Sequence, residues 1–496
     1  MQQVVGLDAM FLSLDSRTTK GHAAGIAYFD SPGEGVDNLA FLRARVAERL
    51  DRLPVLRWRL RPVPLRIDHS YWVDGPVDLA EHITRVRVPR PGTQEQLQQV
   101  IDRLMLPALE RDRPMWRMWV IEGLPDGGYA YLIKLSHGLV DGSTVWSIFD
   151  QLSDEPVEQL APTPQRDEPR GGGAEMFARG LGGVLSRPVR GLRLQADALS
   201  WVVGRARREG VRLLPNSVAR ILPGELSRPA TKLANKIAGD DDPTVASWLP
   251  TLVPPHTAFN GSVTERTTMH AVDFDLAELR AIGKLVGGTI NDAVLAVTAG
   301  AARTYLAEHG GIPNRPLIAT TPISWRTGDE PERWANQVFW LYLPIPTNLP
   351  DPLARLRATH DAASTAKANW DGVPGHLTRR MSLFWPSGLM APAVQIWGRL
   401  PARLTPKAHN LALSNVKGPR VRPRFGGTEM SRYHIYGFLT PGCALLIAGQ
   451  SLGDRIVFCI TVCPDVLPDH AVLPGLLRQA HEELLALTKV APAAGA

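Results

Sequence analysis

The stretch Tyr129-Ala130-Tyr131-Leu132-Ile133-Lys134-Leu135-Ser136-His137-Gly138-Leu139-Val140-Asp141-Gly142 constrains this chain more than any other. Tyr129 to Leu135 is aromatic and aliphatic with one lysine, which is the pattern of a mostly buried strand. The strand delivers Ser136 and His137 into a loop with Gly138 and Gly142, and a helix pattern follows from Thr144 to Leu152. An imidazole has an unperturbed pKa of about 6.5, so it can take a proton near neutral pH and return it. Asp141 is placed to orient the loop or the ring, and Gly142 lets the backbone turn where a side chain would clash. On spacing alone the pattern suits two roles: a general base at a strand end, or a histidine that only closes a strand-end hydrogen bond.

A buried strand needs a sheet, and the flanking sequence supplies one. Residues 1–165 read as an α/β unit with strands at Ala23–Asp30, Leu56–Leu60, Tyr71–Val73 and Val86–Val88. Met115–Glu122 and Tyr129–Leu135 read as a hairpin around Asp126-Gly127-Gly128. Helices fit Asp37–Leu53, with Leu39, Leu42, Val46 and Leu50 at helical spacing, and a Thr93-capped segment running to Met105. A Pro-rich run and three consecutive glycines, Gly171 to Gly173, end the unit.

A second unit spans residues 245–496. It offers a strand at Thr267–Phe274, a helix at Leu276–Lys284, and a helix capped by Thr289 that runs through Asn291 and Asp292 to Tyr305. Strands Leu317–Ile323 and Val338–Leu343 and a helix at Asp351–Ala368 follow. Trp370 to Ala402, with Met381, Leu383, Phe384 and Trp385, suits ordinary core or an acyl-lining surface.

Residues 166–244 are different in kind. Arg166 to Lys236 holds fourteen Lys/Arg against six Asp/Glu, so with a net charge of +6 the rest of the chain is slightly acidic. A local surplus points to a partner for that segment and away from general nucleic-acid binding. Its helix-compatible pieces are broken by Pro188, Pro215, Pro223 and Pro229. Apolar Leu192, Leu194, Leu199 and Trp201 stand beside Arg205, Arg207 and Arg208. Two readings share this pattern: an amphipathic helix lying in an anionic membrane or lipid-droplet interface over 174–240, and a helical crossover packed on both units.

No apolar run approaches the roughly 20 residues of a membrane-spanning helix, and the N-terminus lacks a basic lead and apolar core. Cys443, Cys459 and Cys463 form no disulfide framework and lack histidines at metal-ligand spacing, so no metal site is expected. A cytoplasmic protein is the expectation, peripheral at the inner membrane face or lipid droplets on the interfacial reading. Gly449-Gln450-Ser451-Leu452-Gly453 matches a nucleophile elbow, but that motif needs a strand and then a helix, and the residues after it read as a second strand. No P-loop or dinucleotide fingerprint is present.

The histidine stretch resembles the H-H-x-x-x-D-G motif of the CoA-dependent acyltransferase superfamily. The likeness extends along the chain to the bacterial wax ester synthase/diacylglycerol acyltransferases. Leu7-Asp8-Ala9-Met10-Phe11 is similar to their opening and Pro114-Met115-Trp116 to their P-L-W motif. Asn291-Asp292 is similar to their N-D helix start, Pro322-Ile323-Ser324-Trp325-Arg326 to their P-V-S-x-R segment, and Ser414-Asn415-Val416-Lys417-Gly418-Pro419 to their S-N-V-P-G-P. The chain departs from the pattern at Ser136, where the family has the first histidine, and at Lys417, where it has proline.

The resemblance implies an α/β (α+β) fold of two chloramphenicol-acetyltransferase-like domains with mixed sheets and an active-site channel between them. The domains would be 1–165 and 245–496, joined by the basic helical linker 166–244. It implies His137 as the general base that esterifies diacylglycerol or a long-chain alcohol with a fatty acyl group, acyl-CoA being a substrate and no cofactor being permanently bound. Asp141 and Gly142 would shape the loop, and Ser136, Asn291, Ser324, Arg326 and Asn415 are the candidate substrate contacts. Two rival classes remain: a condensation-type enzyme using carrier-bound acyl groups or an amine, and a lipid-binding relative without turnover.

Overall fold

A computed structural model describes residues 1–4, 7–16, 18–30, 36–165, 172–209, 254–324, 334–370, 392, 396 and 409–490. Arg326, most of Trp370 to Ala402, residues 210–240, and the side chains of Leu199 and of residues beyond Ser200 lie outside them. The first half supplies strands β1 (Gln2–Gln3), β2 (His22–Phe29), β3 (Trp58–Arg61), β4 (Tyr71–Asp74), β5 (Ile83–Arg87), β6 (Trp116–Glu122) and β7 (Tyr129–Ser136). The second half supplies β8 (Thr268–Asp275), β9 (Leu317–Ser324), β10 (Val338–Ile345), β11 (Leu411–Val416), β12 (Arg424–Phe425), β13 (Thr428–Tyr436), β14 (Leu445–Leu452) and β15 (Arg455–Val462).

These strands form two six-stranded mixed sheets, ordered β12-β13-β2-β7-β6-β5 and β10-β9-β11-β14-β15-β8, and a small sheet β1-β4-β3. The first large sheet is not built from the first half alone. β13 pairs antiparallel with β2, Met430 opposite Phe29 and Tyr436 opposite Ala24, so the chain exchanges a ribbon across the division at residue 245. Sequence patterning does not reveal this, because a strand's hydrophobic alternation specifies a buried face and not a partner. The exchange requires Gly25. A Cβ there would stand 2.2 Å from the Tyr433 hydroxyl and 2.9 Å from Phe149.

β7 is buried on both faces along its whole length, which explains its unbroken apolar run. Its one lysine is also buried. Lys134 Nζ donates to the carbonyls of Leu104 (2.9 Å) and Met105 (3.2 Å), closing groups that the end of helix Gln94–Met105 leaves unpaired. Burial pushes its pKa down to about 7. One core lies on the outer face of this sheet, with Trp116, Tyr131, Ile148 and Phe149. Another joins Tyr28, Leu132 and Tyr436 to Met269, Val457 and Cys459 of the second sheet, cementing the halves. Helices Leu276–Lys284, Ile290–Glu308 and Leu473–Val490 share the third core with the second sheet.

One local expectation fails and another holds. Pro188 does not break the linker: Gly172–Glu209 is one 38-residue helix that runs through it. The turns before it are anchored to the 63–68 loop, through Gly180 against Val63 and Ile67 and through Arg187, which donates to the Ile67 carbonyl. Such packing offsets the roughly 3 kcal/mol that an interior proline costs. Ser451 lies in the β14–β15 hairpin, as its surroundings require, and its hydroxyl accepts from Gly418 N at 2.9 Å.

Three buried histidines make the fold acid-sensitive. Burial, with Lys134 beside His22 and Arg432 beside His434, pushes these two down to about 3; burial alone takes His409 to about 4. The native state holds them neutral, while the unfolded chain protonates each below about 6.5. Stability therefore falls as pH drops below that value, by about 1.4 kcal/mol per pH unit per histidine. Urea midpoints should be lower at pH 5 than at pH 7, and His434→Asn should flatten the dependence. Equal midpoints for the wild type at the two pH values would contradict the assignment.

Candidate active site

β7 ends at Ser136, and a turn carries His137 to Leu139. The turn is fixed on every side. His137 N donates to the Gly21 carbonyl (2.8 Å) and Ser136 N to the Met115 carbonyl (3.0 Å), which gives the Pro-Met-Trp segment a structural job at the strand end. Trp116 Nε1 reaches the Leu56 carbonyl at 2.7 Å, holding that segment in the core. Gly138 packs so tightly that a Cβ would meet Leu12 at 2.7 Å.

Asp141 caps the next helix, Gly142–Leu152. Its Oδ1 accepts from Thr144 N (3.0 Å), Thr144 Oγ1 (2.7 Å) and Ser143 Oγ (2.7 Å), while Oδ2 accepts from Gln337 N at 3.3 Å. The carboxylate thus ties the histidine loop to the other half. Asn336, one residue earlier, grips the same loop. Its Nδ2 donates to the His137 carbonyl and to Asp8 Oδ1, both at 2.7 Å. No spacing rule singles out Asn336 or Gln337; the only signal is a polar pair just before an apolar strand.

The His137 ring packs against Phe11 (centroids 4.1 Å apart) and Phe438 (5.2 Å) and faces a cavity of about 430 Å³. Both halves line it: Leu135, Val140, Asp141 and Gly142 from the first, and Trp340, Leu413, Asn415, Ile435 and Leu446 from the second. The lining is mainly apolar, with Lys417 and His409 also on its wall. Burial lowers the His137 pKa, and the Asp141 charge, the residue's own carbonyl and the Asn336 side chain counter that shift. The ring is therefore unprotonated at neutral pH, as a base must be.

A neighbouring pocket of about 220 Å³ shares Pro322, Ser324 and Asn415 with this cavity and adds Asn291 and Lys367. Three of the candidate contacts, Asn291, Ser324 and Asn415, thus converge beside the cavity. Ser136 does not join them. Only 2% exposed, it is absent from the cavity lining, and its hydroxyl accepts from Gly138 N at 3.3 Å. Asp292 is structural too, since its Oδ2 accepts from Thr289 N (2.6 Å) and Oγ1 (2.9 Å) at the start of its own helix. Gly418 is demanded by space, because a Cβ there would lie 1.7 Å from the Ser451 carbonyl. Among the described residues no cluster of three His, Cys, Asp or Glu side chains could hold a metal ion, and no helix is long and apolar enough to cross a membrane.

Two mixed sheets sharing an exchanged ribbon, with a strand-tip histidine facing the cavity between them, make a two-domain mixed α/β fold. The same fold occurs in a wax ester synthase/diacylglycerol acyltransferase from Marinobacter aquaeolei VT8 (TM-score 0.64, 22% identity, 99% of this chain and 100% of that one). It also occurs in the first condensation domain of the CDA synthetase (TM-score 0.58, 14% identity, 98% and 96%). The family model for the wax ester synthase/diacylglycerol acyltransferase catalytic domain matches residues 4–294, and that for the WS/DGAT C-terminal domain matches 334–485. The chain belongs to this family and is an acyltransferase. Relatives provisionally named diacylglycerol O-acyltransferases include two from Mycobacterium tuberculosis. Rv1760 is 29% identical over 98% of this chain and 90% of its own length, and Rv3740c is 30% identical over 96% and 98%.

The Asp141 cap can be tested apart from chemistry. Asp141→Ala removes a helix cap worth about 0.5–2 kcal/mol and leaves buried donors unsatisfied. The urea midpoint should fall measurably, with Asp141→Asn intermediate. Wild-type stability in Asp141→Ala would remove the capping assignment.

Proposed function

We propose that the chain transfers a fatty acyl group from acyl-CoA to the hydroxyl of diacylglycerol or a long-chain alcohol, giving triacylglycerol or wax ester and free CoA. The observation that carries this reading is an unprotonated imidazole facing a largely apolar cavity walled by both halves. An alcohol is a poor nucleophile at neutral pH. His137 removes the hydroxyl proton as the oxygen attacks the thioester carbonyl, and a tetrahedral oxyanion forms. The carbon–sulfur bond then breaks, and the imidazolium returns the proton to the departing thiolate. No acyl-enzyme is needed, because both substrates are held together, and such proximity can lower the barrier by several kcal/mol.

Lys417 at the cavity wall and Lys367 in the adjoining pocket favour the CoA phosphates at that end. A third small pocket, which shares Gly437, Phe438 and Leu439 with the main cavity, is lined by Glu265 as well as Lys20 and suits a neutral acceptor better. Asn291, Ser324 and Asn415 are the polar groups nearest a bound thioester on this reading, and Arg326 continues the same segment. Ser136 lies off the cavity, so the family's missing histidine leaves the base in place. That argues against a relative without turnover.

Helix Gly172–Glu209 supports peripheral contact with a lipid surface. Phe177, Leu181, Leu185, Val189 and Leu192 recur at three- and four-residue spacing and are all exposed, Leu185 at 71% and Leu192 at 68%. Met176 and Leu194 are buried. The adjoining turn holds Leu65 at positive φ (56°) and 84% exposed, although the left-handed region disfavours leucine. An apolar stripe on an arginine-bearing helix fits an anionic interface.

With palmitoyl-CoA and either diolein or hexadecanol, the wild type should release free thiol and form ester. His137→Ala should lower kcat by about 10²–10⁴-fold. Turnover only with a carrier-bound donor would replace this reading by a condensation-type one, and unchanged turnover in His137→Ala would end it. Because His137 must be neutral and its pKa is lowered, the acid limb of kcat/KM should lie below about 6.5. Leu185→Glu with Leu192→Glu should weaken sedimentation with phosphatidylglycerol vesicles while sparing turnover of a soluble acceptor. Undiminished vesicle binding would remove the lipid-surface contact.

A further inference from the structure

We infer that Asn336 is a positioning residue for His137, its carboxamide oxygen receiving the Nδ1–H of the ring. The inference rests on the general-base role proposed above. Asn336 Nδ2 has two hydrogens and both are used, one on Asp8 Oδ1 and one on the His137 carbonyl, each at 2.7 Å. The Asn336 main-chain N adds a third link, to Asp8 Oδ1 at 3.1 Å. Carboxylate and carbonyl oxygens only accept, so flipping the amide would set oxygen against oxygen twice. The orientation of the carboxamide is thereby fixed.

In that orientation Asn336 Oδ1 is buried with no hydrogen-bond partner, and so is His137 Nδ1. One is an acceptor lacking a donor. The other belongs to the very residue whose carbonyl Nδ2 holds. With Nδ1 buried, the ring nitrogen left to the cavity is Nε2, and a base that uses Nε2 carries its resting proton on Nδ1. That proton needs a buried acceptor, since an unsatisfied donor is costly there. The His137 carbonyl already takes one bond from Nδ2, whereas Oδ1 of the same carboxamide takes none. Asp8 behind the amide polarises it and strengthens the oxygen as an acceptor. Asp8, Asn336 and His137 form one chain that selects the tautomer, orients the ring and steadies the imidazolium. Asn336 itself touches no substrate.

Among the described residues, the other titratable groups on the wall of the cavity that the ring faces are Asp141 of the histidine loop, Lys417, His409, Tyr433 and Cys443, and Asp8 of the first helix stands behind the amide. The test is the pH profile of kcat/KM, with palmitoyl-CoA and hexadecanol, for wild type, Asn336→Ala and Asn336→Asp. Asn336→Ala should lower kcat roughly 10–100-fold, leave KM for palmitoyl-CoA within about twofold, and move the acid limb to lower pH, because the imidazolium loses its acceptor. Asn336→Asp gives up the two bonds that Nδ2 makes but sets a charged acceptor beside the ring, and should move the limb to higher pH. Opposite shifts are a signature that a purely structural residue does not give.

An unshifted acid limb in both variants, or a loss carried by KM with kcat intact, overturns the inference. If Asn336→Ala does not fold, Asn336→Asp decides alone, and absence of an upward shift overturns it. Wild-type turnover in His137→Ala would instead sink the general-base reading. An inactive His137→Ala beside unaffected Asn336 variants would sink only this inference.

Discussion

The hydrogen-bonded seam between β2 and β13 is the constraint on which the rest of the molecule depends. It makes the second half complete the first half's sheet, so the two units cannot separate without breaking a ladder that runs from Met430 opposite Phe29 to Tyr436 opposite Ala24. The cavity owes part of its apolar wall to that seam. Tyr433 and Ile435 of the exchanged strand, and Phe438 just beyond it, wall the cavity that the histidine turn faces from the other side. A low-dielectric enclosure strengthens polar interactions inside it and excludes competing water. The enclosure also lowers the pKa of the ring, and Asp141 restrains that fall.

Around the reacting centre, most motif residues hold the backbone and leave contact with ligand to others. Asp141 caps a helix and crosses to Gln337; Asp292 closes its own first turn; Trp116 pins the segment beneath the strand end; Gly418 yields space to the Ser451 carbonyl. The division of labour follows from precision. A base must sit within a fraction of an ångström of its target, and a turn of four residues cannot hold that position alone. The Asp8–Asn336 pair and the Asp141–Gln337 bond grip the turn from two directions, each spanning nearly two hundred residues or more of sequence.

The expected elements were largely legible because their signals are local. Thr93 and Thr289 head capping boxes, and Asp126-Gly127-Gly128 links the two strands read there. The apolar run of β7 announces its burial. Motif order along the chain carried the family. Pro188 misled, since a proline's helix-breaking tendency is local and the helix packing that overrides it is not.

By itself the sequence determined most of the strands and helices before residue 370 and the β14–β15 hairpin, where His137 sits on the chain, and the acyltransferase family to which the motifs belong. Only the tertiary structure decided that β13 leaves its own half, that Ser136 lies off the cavity while Asn291, Ser324 and Asn415 gather beside it, and that Asn336 and Gln337 hold the histidine turn. The physical reason is range. Periodicity, caps and turns are written in neighbouring residues, whereas strand exchange and a 2.7 Å bond between residues 137 and 336 are settled by packing, which no local pattern encodes.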